Sequence, residues 1–295
     1  MRFPNEAAET AFRVLNKCTH EMTLERPWRW RCVVQNGTRL PVAATLDDSF
    51  LHLDCRPDVA RKTACTNEQA IMSNRTLGGG VKLALNGADI AFHMTADILV
   101  RDEKQLLERF RWALDGLHYG YGLLKHPTSH DGPAKEHHIG GGTNLLELMR
   151  DSHWRLTERG PNEFSTELES QSSPLARLRA SNREVALTTA FVRATTVPDC
   201  SRKAIALFLL TASSSLRLVR AFGSEADGAW TCGLMVSLPA VPAMEEIEHG
   251  LAALSIAHRM CAREAVLLLD EAAALSYLAA RNLPTCNYHF QEQEI

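Results

Sequence analysis

One pattern of helix and strands occurs twice in the sequence, and it constrains the fold more than any other feature. The stretch 68–97 is typical of a helix, a break of small residues, an alternating strand, a turn and a second strand. Apolar residues fall at every second position over 81–85 and again over 90–94, and Asn86-Gly87 between them is typical of a hairpin turn. The stretch 202–238 has the same order of features at low identity. We therefore predict an internal duplication.

The remaining segments extend this pattern into two similar units. In the first unit we predict helices over 5–18, 57–77 and 101–124, strands over 28–35, 39–46 and 49–55, and the hairpin of 78–97. In the second unit we predict helices over 144–152 and 200–214, strands over 153–160, 163–170, 184–194, 216–223 and 228–238, and a helical region over 242–281 with breaks near Gly250 and Cys261.

The predicted fold class is α+β, with two tandem α-βββ-α-ββ-α units, each an antiparallel sheet packed with helices. The predicted N-terminal domain is 1–125, the linker is 126–143, and the C-terminal domain is 144–295. The linker has two interpretations because His126, His130, His137 and His138 fall within thirteen positions of it. Imidazoles with Asp131 would suit zinc or nickel. We favour a tether, because the segment is rich in Gly, Pro, Ser and Thr and joins two repeated units.

Composition narrows the class of protein. The chain has 295 residues and a formal net charge of −3, which argues against a general nucleic-acid-binding protein. We find no signal-peptide pattern and no apolar stretch long enough for a spanning helix, so we expect a soluble, cytoplasmic protein without membrane contact. None of the eight cysteines forms a CxxC pair, so we expect free thiols and no cofactor.

Several short motifs are better explained by structure than by chemistry. The glycines of 77–80 precede a strand, so a helix end fits them better than a phosphate loop. In 28–31 (WRWR), we expect tryptophans to point inward and arginines outward on a strand. His93 is predicted to be exposed or hydrogen-bonded, and His249 and His258 are too far apart for a helical metal pair. We predict no catalytic, cofactor-binding or metal-binding residue.

The stretch 71–99 with the helix at 103–119 resembles the YbjN-type sensory transduction regulators, and the order of elements is similar to that of class I type III secretion chaperones. The resemblance covers 60–125 best, 1–55 by order of elements and 200–260 weakly. It implies a non-enzymatic role in binding a protein partner. Because such chaperones are homodimers, it also implies that the two repeats form a pseudo-dimer, in a monomer or a homodimer.

Two functions are consistent with these observations. The first is a protein–protein interaction module, acting as a regulator or chaperone, which we expect not to be an enzyme. Its marker would be an exposed apolar patch on a sheet or helix face. The alternative is a small-molecule-binding protein or enzyme with a site between the two halves. Its marker would be a deep cleft where polar groups from both halves converge.

Overall fold

The computed structural model describes residues 3–26, 28–58, 65–86, 91–126, 144–168 and 175–281. Over these residues the chain forms two six-stranded antiparallel sheets packed with seven helices, and the two halves are similar. The predicted α+β class with two tandem units is therefore confirmed. No helix in these ranges is long and apolar enough to cross a membrane.

The first half begins and ends with a helix. Its elements are α1 (Glu6–Cys18), β1 (Glu21–Arg26), β2 (Arg29–Asn36), β3 (Thr38–Asp47), β4 (Phe50–Cys55), α2 (Asn67–Asn74), β5 (Lys82–Asn86), β6 (Ala91–Leu99) and α3 (Glu103–Lys125). The sheet order is β1-β2-β3-β4-β6-β5, which leaves β5 at an edge. Asn5 and Asp102 cap α1 and α3 by accepting from backbone N–H groups in the first turn.

The second half repeats this arrangement. Its elements are α4 (Leu145–Leu148), β7 (Thr157–Gly160), β8 (Glu163–Glu167), β9 (Leu175–Ala180), β10 (Glu184–Ala194), α5 (Asp199–Ser215), β11 (Arg220–Ala226), β12 (Ala229–Pro239), α6 (Met244–Leu267) and α7 (Glu271–Ala279). The sheet order is β11-β12-β10-β9-β8-β7, so β11 is the edge strand equivalent to β5. The main difference is α4, which is a single turn where the first half has the 13-residue α1.

Each half has four strands before its middle helix, one more than the three predicted. The additional strand in the first half is β1, whose charged residues and exposed edge position give little apolar alternation. The additional strand in the second half is β9, where two of the three buried side chains are alanines. Small buried side chains carry a weak periodic signal, which is why the sequence pattern did not reveal this strand.

Within the predicted helical region 242–281, the first helix ends later in the chain than predicted. α6 continues through Gly250 and Cys261, and the break falls at Leu268–Asp270. A Cβ at Gly250 would lie 2.8 Å from the side chain of Leu187, so this glycine allows α6 to approach the sheet closely. Asp270 caps α7 by accepting from Ala273 N–H at 2.9 Å.

The middle helices are exchanged between the halves. α2 of the first half packs on β11, α5 of the second half packs on β5, and α2 and α5 contact each other. A Cβ at Gly223 on β11 would lie 3.0 Å from Ile71 on α2, which shows how close this packing is. The buried apolar residues of both halves form one continuous core. The domain boundaries at 125/126 and 143/144 stay a prediction, although α3 ends at Lys125 and α4 begins at Leu145.

Candidate functional site

Two buried cations join the halves at their edge strands. Lys82 is the first residue of β5, and its ammonium donates to the carbonyl oxygens of Leu216 and Val219, the latter at 3.2 Å. Arg220 is the first residue of β11, and its Nη1 donates to the carbonyl oxygens of Leu77 and Val81 at 2.6 and 2.7 Å. Each cation therefore donates hydrogen bonds to backbone carbonyls of the segment just before the other cation. Burial lowers the pKa of both side chains because it disfavours their charged forms.

A buried carboxylate makes a third link across the interface. Asp97 on β6 accepts from the backbone N–H of Leu218 at 2.7 Å and lies 2.8 Å from Nδ1 of His52. Burial alone would raise the pKa of the Asp97 carboxyl, but the hydrogen bond from His52 and the charge of Lys82 hold it below its usual value. Asp97 is therefore ionised at neutral pH and bonded to both halves.

A cleft opens between the halves next to Asp97, and we call it the inter-half cleft. Its volume is about 510 Å³, which includes space that is open to the solvent. Both halves contribute to its lining, which includes Phe50, Gly79, Gly80, Asp97, Ile98, Leu99, Arg109, Trp112, Leu218, Ser237, Leu238, Pro239, Glu246 and His249. This is the arrangement expected of the second function considered above, a site built between two units.

An ion pair between α3 and α6 borders the cleft. Arg109 donates through Nε and Nη2 to the two carboxylate oxygens of Glu246, both at 3.0 Å, and Nη2 also donates to the carbonyl of Val241 at 3.0 Å. Glu246 accepts in addition from the N–H of Ala243 at 2.7 Å. Both side chains are largely buried, at 13% and 8% exposure, so this bidentate pair holds its geometry better than a surface ion pair.

Aromatic side chains complete the cleft. The rings of Phe50 and His249 meet edge to face, with centroids 5.6 Å apart, and Trp112 also lines the cleft. His249 Nδ1 lies 2.7 Å from the carbonyl oxygen of Glu245. A carbonyl can only accept, so Nδ1 carries the proton, and the neutral ring then presents Nε2 as an acceptor.

A second candidate surface lies on the outer face of α6. Ile256, Met260, Val266 and Leu267 are 49%, 61%, 51% and 49% exposed, far more than a helix facing only its own sheet requires. Ile256, Met260 and Leu267 are four and seven residues apart, so they share one helical face, and Arg263 lies between them. We call Ile256, Met260, Val266 and Leu267 the α6 surface.

Most of the predicted linker, 126–143, lies outside the described residues. His126 follows the end of α3, whereas His130, His137 and His138 lie outside the described residues. The choice between a tether and a metal site therefore stays a prediction. In the part of the chain that the structure describes, no three His, Cys, Asp or Glu side chains are grouped to hold a metal ion, and the seven cysteines there are free thiols.

The other motifs have structural roles. Trp30 is fully buried and Arg29 and Arg31 are exposed, as predicted, but Trp28 precedes the strand and is 46% exposed, so the prediction for Trp28 is wrong. Gly79 and Gly80 have φ values of 74° and 64°, which agrees with their interpretation as a helix end and strand entry.

The three single histidines, His93, His249 and His258, have different surroundings in the structure. His93 is buried, with Nδ1 3.1 Å from Asp54, so it is the hydrogen-bonded rather than the exposed histidine of the prediction. His258 packs against Phe191, away from the cleft, while His249 lines it.

Sequence reasoning did not find the residues of the inter-half cleft. Arg109 and Glu246 lie 137 positions apart, and neither belongs to a short motif. The signal that was present is the repeated pattern of elements, which predicts two similar halves. Charged residues stand at the starts of both β5 and β11, but only the structure shows that they bond across the two halves.

The fold and site define an α+β protein of two similar halves with a cleft between them. No protein-family model matches the chain, and the comparison with curated proteins found no match. Among solved structures, the chain is similar to the di-domain aromatase/cyclase StfQ from the steffimycin biosynthetic pathway, at 10% identity and a TM-score of 0.15, over 94% of this chain and 95% of that one.

This comparison corrects one prediction. We expected that the chain is not an enzyme, and the matched protein is an aromatase/cyclase, so that exclusion is contradicted and is not kept. The TM-score of this match is too low to assign a fold, a substrate or a reaction to the chain.

Proposed function

We propose that the protein is a protein-recognition module built as a single-chain pseudo-dimer, of the kind found in YbjN-type regulators and class I type III secretion chaperones, and that it acts in the cytoplasm as a regulator or chaperone. The observation that carries this proposal is the α6 surface, where four large apolar side chains are about half exposed or more. Exposed apolar groups clustered on one helix face are typical of a partner-binding surface.

The first half indicates what kind of partner segment fits. There α1 packs along α3, and its Arg13 and Lys17 pair with Glu103. In the second half the equivalent element, α4, is a single turn, and the exposed apolar face lies on α6, the equivalent of α3. We therefore propose that an amphipathic helix of the partner packs on α6 as α1 packs on α3. Arg263 on this face favours acidic residues in that helix.

The pseudo-dimer part of the proposal has its own support. Lys82, Arg220 and Asp97 each bond to the opposite half, and the exchanged helices α2 and α5 close the shared core. To test it, a protease site is inserted into the linker and cleaved. We expect the two fragments to stay together in size-exclusion chromatography without denaturant. Separation of the fragments would contradict the pseudo-dimer.

The α6 surface is tested by placing a photo-crosslinking amino acid at Met260 in cells that produce the protein natively, with Lys104 on α3 as a matched exposed control. We expect a specific adduct from position 260 only. The partner identified by mass spectrometry is then purified, and Met260→Glu and Arg263→Glu should each weaken its binding at least tenfold, while Lys104→Glu should not. Equal adducts at both positions, or affinity unchanged by Met260→Glu, would contradict the proposal.

The same variants distinguish a second copy of the chain from another protein. Sedimentation velocity of the purified protein should show a monomer at micromolar concentration. A dimer that Met260→Glu dissociates would assign the α6 surface to self-association instead.

A further inference from the structure

The inter-half cleft is separate from the α6 surface, and its chemistry points to a different kind of ligand. It contains aromatic and aliphatic walls from both halves together with a small number of polar groups. Its volume of about 510 Å³ includes space open to solvent, so the enclosed part is smaller than this and favours a small molecule. Clefts of this composition at an interface between units are the usual places for small organic ligands.

The charges lining the cleft are already neutralised. Asp97 has one carboxylate oxygen bonded to His52 and the other to the N–H of Leu218. Glu246 has both oxygens bonded to Arg109. A charged ligand would lose its hydration on entering and would find each countercharge already paired, which is unfavourable. The cleft therefore favours an uncharged ligand.

Among the described residues, Arg109 and His249 can offer polar atoms to that ligand. Arg109 uses Nε and Nη2 for Glu246 and Val241, and within the described residues no acceptor lies at its Nη1. Nη1 can therefore donate to a carbonyl or amide oxygen of a ligand. His249 donates from Nδ1 to the carbonyl of Glu245, which leaves Nε2 to accept from a hydroxyl or amide N–H.

The walls define the shape between these two groups. The ring of Phe50 is held against His249, and Trp112 lies in the same lining with Leu238 and Pro239. Flat aromatic surfaces favour a flat ligand through stacking and edge-to-face contact.

We propose that the inter-half cleft binds a small, uncharged, aromatic molecule that accepts a hydrogen bond from Arg109 Nη1 and donates one to His249 Nε2. This inference does not depend on the proposed protein partner. Either site can be tested, and can fail, without the other.

The test uses three probes that share one ring and one hydroxyl group: 4-hydroxybenzamide, which is uncharged, 4-hydroxybenzoate, which is an anion, and 4-(aminomethyl)phenol, which is a cation. Binding is measured at pH 7 on the full chain by the NMR shifts of the tryptophan indole N–H groups. We expect saturable binding of 4-hydroxybenzamide with a Kd on the order of 1 mM, as befits a ligand of this size. The two charged probes should bind at least tenfold more weakly.

Variants locate the probe and test its orientation. Phe50→Ala removes one wall and should weaken 4-hydroxybenzamide at least fivefold. His249→Phe keeps a ring against Phe50 but removes the acceptor, so it should weaken 4-hydroxybenzamide while leaving benzamide, which lacks the hydroxyl, unchanged. His258→Phe, on the same helix but outside the cleft, is the matched control and should change neither. Absence of saturable binding, equal affinity for the three probes, or equal effects of His249→Phe and His258→Phe would each overturn the proposal.

Discussion

Lys82 and Arg220 occupy equivalent positions in the two halves, but their surroundings differ. Both begin an edge strand, both are fully buried, and both donate to two backbone carbonyls of the other half. The Lys82 ammonium has the Asp97 carboxylate nearby and the Arg220 guanidinium has the Glu184 carboxylate nearby, but Arg220 Nε and Nη2 find no hydrogen-bond partner within the described ranges. Both cations thus have a countercharge, and the difference is that the cation of the second half keeps N–H groups that no described residue satisfies.

The residues near these two cations also differ between the halves in their hydrogen-bond partners. Asp97 and Ser237 lie two positions beyond the β-bridge partners of Lys82 and Arg220, Thr95 and Met235. Asp97 bonds across the interface to Leu218, while Ser237 donates to Glu184 within its own half. The two similar halves therefore share a backbone arrangement at the interface but differ in their polar contacts, with the cross-interface carboxylate in the first half.

The largest expected effect comes from removing that carboxylate. Asp97→Ala leaves Lys82 buried without its nearby countercharge and the N–H of Leu218 without an acceptor, so we expect it to reduce the free energy of unfolding by about 3 kcal/mol. The matched variant in the second half, Ser237→Ala, removes one hydrogen bond and should cost about 1 kcal/mol. Urea denaturation at pH 7 measures both. Equal losses would show that the two halves contribute alike.

A smaller effect is expected from the two cations. Lys82→Met and Arg220→Met each leave two carbonyl oxygens without a donor, but Arg220→Met also removes unbonded guanidinium N–H groups from the interior. We therefore expect Lys82→Met to reduce the free energy of unfolding by about 2 kcal/mol more than Arg220→Met does. The same denaturation experiment compares them, and a larger loss for Arg220→Met would indicate that its nitrogens bind ordered water.

The ionisation of Asp97 should also appear as a pH dependence. Its pKa is lowered in the folded protein, so its stabilising effect is complete above the value of about 3.9 for an unfolded chain and is lost as pH falls through the lower folded pKa. Between pH 6 and pH 3 we expect the wild type to lose about 1 kcal/mol more stability than Asp97→Asn. Ser237→Ala should follow the wild type, and parallel pH curves for all three proteins would contradict this role of Asp97.

The smallest effect concerns the residues two positions before each cation. Gly80 and Leu218 have φ values of 64° and 60°, a region that glycine adopts without steric cost. Gly80→Ala should cost about 1 kcal/mol, because the alanine Cβ is unfavourable at this φ. Leu218→Gly relieves the same backbone strain but loses packing, so its net change should stay below about 0.5 kcal/mol. Thermal unfolding of both variants tests this, and a Gly80→Ala protein as stable as the wild type would contradict it.

The sequence predicted the repeated architecture better than the interface. Periodicity located the β5–β6 hairpin and α3 because large apolar residues alternate or recur there. It did not locate β1 or β9, whose buried positions hold few large side chains. The cleft residues were not predicted because their proximity depends on how two sheets pack, and no local pattern of residues records that distance. The exposed residues of α6 are visible in the sequence, but their exposure depends on what packs against α6, which no local pattern records.

The exchange of α2 and α5 has a consequence for synthesis of the chain. Lys82 obtains its carbonyl acceptors from residues as far as Val219, 137 positions later. At translation rates of about 5–20 residues per second, roughly 7–27 s pass before the ribosome has added those residues. During that interval the edge strand β5 has neither α5 nor the Lys82 acceptors, so the nascent first half exposes an unpaired strand edge. Protection from aggregation is therefore needed most before translation of α5 and β11 is complete.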